Sequence, residues 1–266
     1  MRRFSFTLTE LLVVIVIFVL LIVILLPSLR SSRQQAEAVL CKSNIRQLLC
    51  GLFSYETENQ TLPYGFDDTP EGPPLGGYAG GSAYDRRGWW WFNFIEDFYR
   101  KSDSNRTAVR CPSKRLSNPS LKNNILCGNY GVNRSICKSS DDIQSQREEF
   151  VGTPLRSNNI SRPSETLLLV DSGYSLISWW HATDEPPVAL GNTIIEDAAY
   201  IPGLWINKKR DLWPGQEQDA IYGRHPNKTV NVEFADGHVS RTKAEDLFVE
   251  KTGDDYRNKS PLWVPK

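Results

Sequence analysis

The strongest constraint on this chain is one uninterrupted apolar run near its N-terminus, Leu11 to Leu26, LLVVIVIFVLLIVILL. A helix that is apolar all round has no polar face to turn to water, so it belongs in a bilayer or wholly inside a large core. From Phe6 to Leu26 the segment is 21 residues long, and Glu10 is its sole charged side chain. At about 1.5 Å per residue such a helix covers roughly 30 Å, the thickness of a bilayer core. Arg2 and Arg3 precede it, and a short basic N-terminus stays on the cytoplasmic side. The remainder is then expected in the periplasm or beyond. It is polar, rich in Gly, Pro, Asn and Ser, and has no second stretch long and apolar enough to span. Lysine and arginine total 31 and so do aspartate and glutamate, so bulk charge points to no nucleic-acid partner.

A secretory signal also begins basic and continues apolar, but it should end at a small-residue cleavage site. Here the run passes into LLPSLRSSRQQAEAV, helix-compatible and without Ala-x-Ala. A plain signal anchor accounts for the run, yet not for a carboxylate at its membrane end. Such a group costs a few kcal/mol in lipid unless it finds a partner, which marks Glu10 as functional. The segment Ser5-Phe6-Thr7-Leu8-Thr9-Glu10-Leu11-Leu12-Val13-Val14-Ile15 closely resembles the prepilin cleavage and methylation motif of type IV pilins and type II secretion pseudopilins. The resemblance implies cleavage by a prepilin peptidase between Ser5 and Phe6, N-methylation of Phe6, and Glu10 as the fifth residue of the mature chain. That family usually has Gly before the cut, where this chain has Ser5. In a filament of parallel helices, the Phe6 ammonium of a neighbouring subunit would pair with Glu10.

Downstream, Ala38, Cys41, Ile45, Leu48, Leu49, Leu52 and Phe53 recur at three- and four-residue steps, an amphipathic stripe. Residues 6 to about 58 therefore read as one long helix. Pro27, near the membrane exit, should kink or locally melt it. Cys41-Lys42-Ser43-Asn44-Ile45-Arg46-Gln47, followed by Tyr55, Asn59 and Pro63, looks like the G-type pseudopilins. The expected organisation is a leader at 1–5, a transmembrane helix at 6–26, an amphipathic helix at 27–60 continuing into the head, and a globular head at 61–266.

The head opens with a Pro- and Gly-dense loop, Thr61 to Gly88, followed by Trp89-Trp90-Trp91-Phe92. Such aromatics supply core or an interface more often than a ligand platform. Thr166 to Val170 reads as a strand ended by Asp171-Ser172-Gly173. Thr229 to Ala235 alternates, with Val230, Val232 and Phe234 on one face and Asn231 and Glu233 on the other. Asp236-Gly237 before His238-Val239 is the signature of a two-residue hairpin turn. The expected class is α+β, a long helix packed on a small antiparallel sheet, the pilin-like lollipop. Cys111-Pro112-Ser113, Tyr130-Gly131-Val132-Asn133, Ile160 with Pro163, Ser164 and Thr166, and Arg224-His225 with Asp236-Gly237-His238 look like pseudopilin-like proteins of planctomycete-type bacteria. Their hallmark is a His, nine residues, then Asp-Gly. Here ten residues separate His225 from Asp236, an insertion expected to lengthen the loop before the strand.

Catalytic signatures are weak. The histidines are His181, His225 and His238, and His225 or His238 could approach Asp236 or Asp171 across the sheet. No spacing matches zinc ligation, a nucleophile elbow or a phosphate loop. No cofactor is expected; calcium is the ion to consider, at Asp67-Asp68, Asp141-Asp142 or Asp254-Asp255, though none has calcium-loop spacing. Of five cysteines, Cys111, Cys127 and Cys137 lie in loop-rich sequence and could supply one disulfide. Cys41 lies on the buried stripe and Cys50 on the opposite side of the helix, so those two cannot pair. The expectation is a non-enzymatic subunit of a type II secretion pseudopilus or related pilus, partnered by prepilin peptidase, like subunits and the inner membrane. The rival is a membrane-anchored surface protein that binds a glycan or an exported protein through Trp89 to Trp91 or Trp179-Trp180.

Overall fold

The computed structural model describes residues 7–68, 88–99, 108–140, 148–184 and 199–265. Its dominant element is helix α1, Leu8–Asn59, 52 residues and on the order of 80 Å long. Thr7 starts it with a reciprocal cap. The Glu10 amide donates to Thr7 Oγ1 at 3.3 Å, and the Thr7 amide donates to Glu10 Oε2 at 2.8 Å. The helix stops at Gln60, whose left-handed backbone returns its N–H to the Glu56 carbonyl. Pro27 sits inside α1 without interrupting it, so the local melting expected there is not found. One proline removes one N–H donor while its fixed φ stays helical, and Ser28 and Ser32 hydroxyls donate to the Leu25 and Ser28 carbonyls nearby.

The two halves of α1 have opposite fates. The apolar first half is exposed on every side, with none of its most hydrophobic window buried against the head. The second half buries Ala38, Cys41, Ile45, Leu48, Leu49, Gly51 and Leu52, the stripe anticipated from its spacing. Gly51 lets the short helix Glu96–Tyr99 close in, since a Cβ there would stand 3.2 Å from Ile95.

The described part of the head is built on nine strands: β1 (Phe66–Asp67), β2 (Trp89–Trp90), β3 (Tyr130–Asn133), β4 (Leu167–Asp171), β5 (Leu176–Ile177), β6 (Thr229–Phe234), β7 (Val239–Lys243), β8 (Glu250–Thr252) and β9 (Asp255–Arg257). Five form the main sheet in the order β5-β3-β4-β6-β7, while β1-β2 and β8-β9 are separate pairs. Strand β4 is central and wholly buried, which accounts for its continuous apolar run. The edge strand β7 carries Arg241 and Lys243 on its exposed positions, charges that discourage edge-to-edge pairing. Helix α1 lies against β6 and β7. The class is therefore α+β, a long helix with a sheet-based head.

Three expectations about the head need correction. The sheet is mixed rather than antiparallel, because β5 pairs parallel with β3, Val132 opposite Leu176. The β6–β7 connection holds three residues, Ala235-Asp236-Gly237, because the Phe234 N–H bonds the His238 carbonyl at 3.0 Å. Gly237 at φ +94 supplies the left-handed residue that a three-residue hairpin with a bulge requires. Finally, β6 is not amphipathic: Asn231 and Glu233 are as buried as Val230 and Val232.

Candidate functional site

Among the described residues two places gather chemistry-bearing side chains, one on the exposed half of α1 and one on its buried half. The first is Glu10. Its carboxylate accepts from both the Thr7 amide and the Thr7 hydroxyl, at 2.8 and 2.7 Å, while its neighbours Leu8, Leu11, Leu12, Val13 and Val14 are exposed hydrophobics. The charge is thus held by its own helix start, at the edge of an apolar surface that no described part of the head covers. Ser5 and Phe6 lie outside the described residues.

The second is a buried polar knot where helix, loops and sheet meet. Asn44, one turn beyond Cys41 on α1, donates through Nδ2 to the Arg110 carbonyl at 3.1 Å and to the Tyr130 hydroxyl at 3.4 Å. Cys41 Sγ touches Cys111 Sγ at 2.9 Å. The Cys111 amide is fixed by Asn129 Oδ1 at 2.9 Å. Close to the sulfurs lies Asp171, the last residue of β4. Its Oδ2 meets His225 Nε2 at 3.0 Å and accepts the Asn231 amide at 2.6 Å. Arg224 donates to the carbonyls of Asn129 and Ser172 at 2.8 and 3.0 Å and to Asp219 Oδ2 at 2.6 Å. The Tyr200 hydroxyl and the Arg115 amide also donate to the Asp219 carboxylate, at 3.0 Å each.

Electrostatics explain how so much charge survives burial. Burial by itself would raise the Asp171 carboxyl, but the His225 charge and hydrogen bond, with Arg224 and the Asn231 amide, hold it below its ordinary value. Burial pushes His225 down and the Asp171 carboxylate more than reverses this, so the imidazole is raised. Each group thus favours the charged form of the other. Burial pushes the Cys111 thiol well up. Nearby, burial and the Arg110 and Arg224 charges lower Lys114 to about 8. Glu233 has no such partner among the described residues: both its oxygens are buried without a hydrogen bond, and burial raises its carboxyl well above the ordinary range, which favours the neutral acid.

No family model, curated protein or solved structure matches this chain. Its functional reading therefore rests on the residues themselves. The knot contains a thiol, an imidazole and a carboxylate, the raw materials of nucleophilic catalysis. Cys41, Cys111, Asp171 and His225 are each no more than 2% exposed, so these groups lie in the interior of the head. Cys41, Cys111 and His225 also present ligand atoms within 4.8 Å of one another, the group among the described residues with donors placed for a metal.

The remaining candidates fall elsewhere. His238 stacks on Phe234 and meets Asp236 at 2.6 Å on the exposed hairpin, so His225 and the Asp236-Gly237 turn are separated by the length of β6. Between His225 and β6, Asn227 and Lys228 both adopt positive φ, in the loop where an extra residue would be absorbed. His181 lies buried, its Nδ1 accepting from the Ser178 amide at 3.0 Å. Trp90, Trp91, Trp179 and Trp180 are buried, which withdraws their faces from any ligand; Trp89 is half-buried against Phe94. Asp67 is buried in β1, Asp68 accepts from Ser140 Oγ at 3.2 Å, and Asp254-Asp255 sits on the exposed β8–β9 hairpin. Asp141 and Asp142 lie outside the described residues.

The sulfur that meets Cys111 belongs to Cys41, neither to Cys127 nor to Cys137; both of those are buried, and burial pushes the Cys137 thiol up. Sequence reasoning missed Arg224's anchoring role, Asp219, Asn129 and Asn231. An Arg beside His225 was a visible signal for the first; nothing in the spacing marked the others.

Proposed function

We propose that this chain is a pilin-like structural subunit. It is inserted in the bacterial inner membrane with its N-terminus cytoplasmic and its head periplasmic, is cut by prepilin peptidase between Ser5 and Phe6, and then polymerises into a type II secretion pseudopilus or related filament. One observation carries the reading: the apolar half of α1 is exposed all round while the other half is fastened to the head. A surface of that size is stable only in lipid or against other copies of itself, and a filament of parallel helices supplies both in turn.

Glu10 provides the register. Before processing, its charge is absorbed by the Thr7 cap. After cleavage, Thr7 is the second residue of the mature chain, and the Phe6 ammonium of a neighbour competes for the same carboxylate oxygen. An ion pair formed in lipid is charge-assisted and pairs two groups that would otherwise be costly, so it specifies one axial offset between subunits. Glu10→Ala should insert and be extracted with membranes at wild-type levels while yielding no sheared filament fraction. Wild-type filament yield from that variant would sink the assembly role.

A further inference from the structure

We infer that Cys41 and Cys111 are joined as a disulfide that rivets the amphipathic half of α1 to the head. The two sulfurs are 2.9 Å apart although the residues are 70 positions apart in sequence. Both are buried, and each is held from a second direction. Tyr130 donates its hydroxyl to the Cys41 carbonyl at 3.5 Å, Asn129 fixes the Cys111 amide at 2.9 Å, and Asn44 ties the helix to the Arg110 carbonyl at 3.1 Å. The segments carrying Cys41 and Cys111 therefore meet in one place with their backbones already pinned.

The inference rests on the head lying outside the cytoplasm, where dithiols are oxidised. The electron acceptor is the disulfide of a thiol–disulfide oxidoreductase. One cysteine thiolate attacks it to give a mixed disulfide and release one oxidoreductase thiol. The other cysteine then attacks the mixed disulfide, forming the Cys41–Cys111 bond and releasing the second thiol. Two protons and two electrons leave the chain, and the oxidoreductase gains both. Because both sulfurs are buried in the finished fold, the exchange must precede closure of the core. The competing occupant is a cation held by Cys41, Cys111 and His225. The Asp171 contact at 3.0 Å occupies His225 Nε2 and leaves Nδ1 buried without a partner, so the metal content of the purified chain separates the two occupants.

The bond would close a long loop across the helix–head junction, constraining the unfolded chain and blocking α1 from sliding out of the head under axial load. The test uses the full-length protein in its native membrane. Intact spheroplasts are first labelled with a membrane-impermeant maleimide, which reads head export at the exposed Cys50. Lysis with a second maleimide, non-reducing digestion and mass spectrometry then report Cys41 and Cys111. A cross-linked Cys41–Cys111 peptide pair is expected, with Cys50 labelled from outside. Cys50 labelled while both cysteines carry the second maleimide overturns the rivet alone, as does a stoichiometric metal in the purified chain. Cys50 unlabelled with both cysteines as thiols overturns the export reading as well. A reductant should lower the wild-type melting midpoint on the order of 10 °C and leave a Cys41→Ser/Cys111→Ser variant unchanged. Equal sensitivity of both proteins to reductant contradicts the rivet.

Discussion

At the residue scale, Asp171 is the side chain on which the buried knot turns. It takes the His225 imidazole and the Asn231 amide and lies 3.9 Å from the Arg224 guanidinium, with no exposure of its own. Removing its charge takes from His225 the carboxylate that raises it and leaves Asp219 as the remaining carboxylate beside Arg224, so Asp171→Asn should destabilise the head by roughly 3 kcal/mol in denaturant melts of the detergent-extracted chain. The pH dependence carries the signature. Asp171 is lowered from 3.8, so its contribution is present above that pH and lost on acidification. His225 is raised from 6.5, so its contribution is complete below that pH and lost as pH rises through the folded value. The wild type should therefore lose stability on the alkaline side of 6.5, and Asp171→Asn should lose this slope. An unchanged slope would mean His225 is not paired as described.

At the element scale, the β6–β7 hairpin and α1 show what spacing can and cannot reveal. The stripe from Ala38 to Leu52 was legible because a helix repeats every 3.6 residues and its burial depends only on its own face. The hairpin was legible in place but not in length, since Asp236-Gly237 fits a two- or a three-residue loop and only the partner strand decides. Gly237 holds φ +94 with a Cβ position 3.2 Å from the Phe53 ring, so both backbone and space resist a side chain. Gly237→Val should cost about 2 kcal/mol, measured by urea midpoint, whereas an open, positive-φ glycine such as Gly152, with nothing within 4 Å of a Cβ, should cost less for the same change. Strand β5 could not be read: two residues carry no periodicity, and their parallel partner is set by the tertiary fold. The same holds for the knot, whose members come from separate segments of helix, loop and sheet. Spacing encodes neighbours along one element, while Cys41 meets Cys111 and Asp171 meets His225 only through the tertiary fold.

At the scale of the whole molecule, the chain is a rod half bare and half embedded. The embedded half is held by the stripe on β6 and β7, by Asn44 and by the Cys41–Cys111 contact. Nothing among the described residues covers the bare half. That division suits the polymerising membrane subunit proposed above, which would use the free apolar surface first in lipid and then against other copies. The claim is tested most directly by the intact mass of the membrane-extracted protein. The account predicts a chain that begins at an N-methylated Phe6, the five leader residues gone. A chain that still begins at Met1 would contradict it and leave α1 a simple anchor beneath a head whose purpose lies elsewhere.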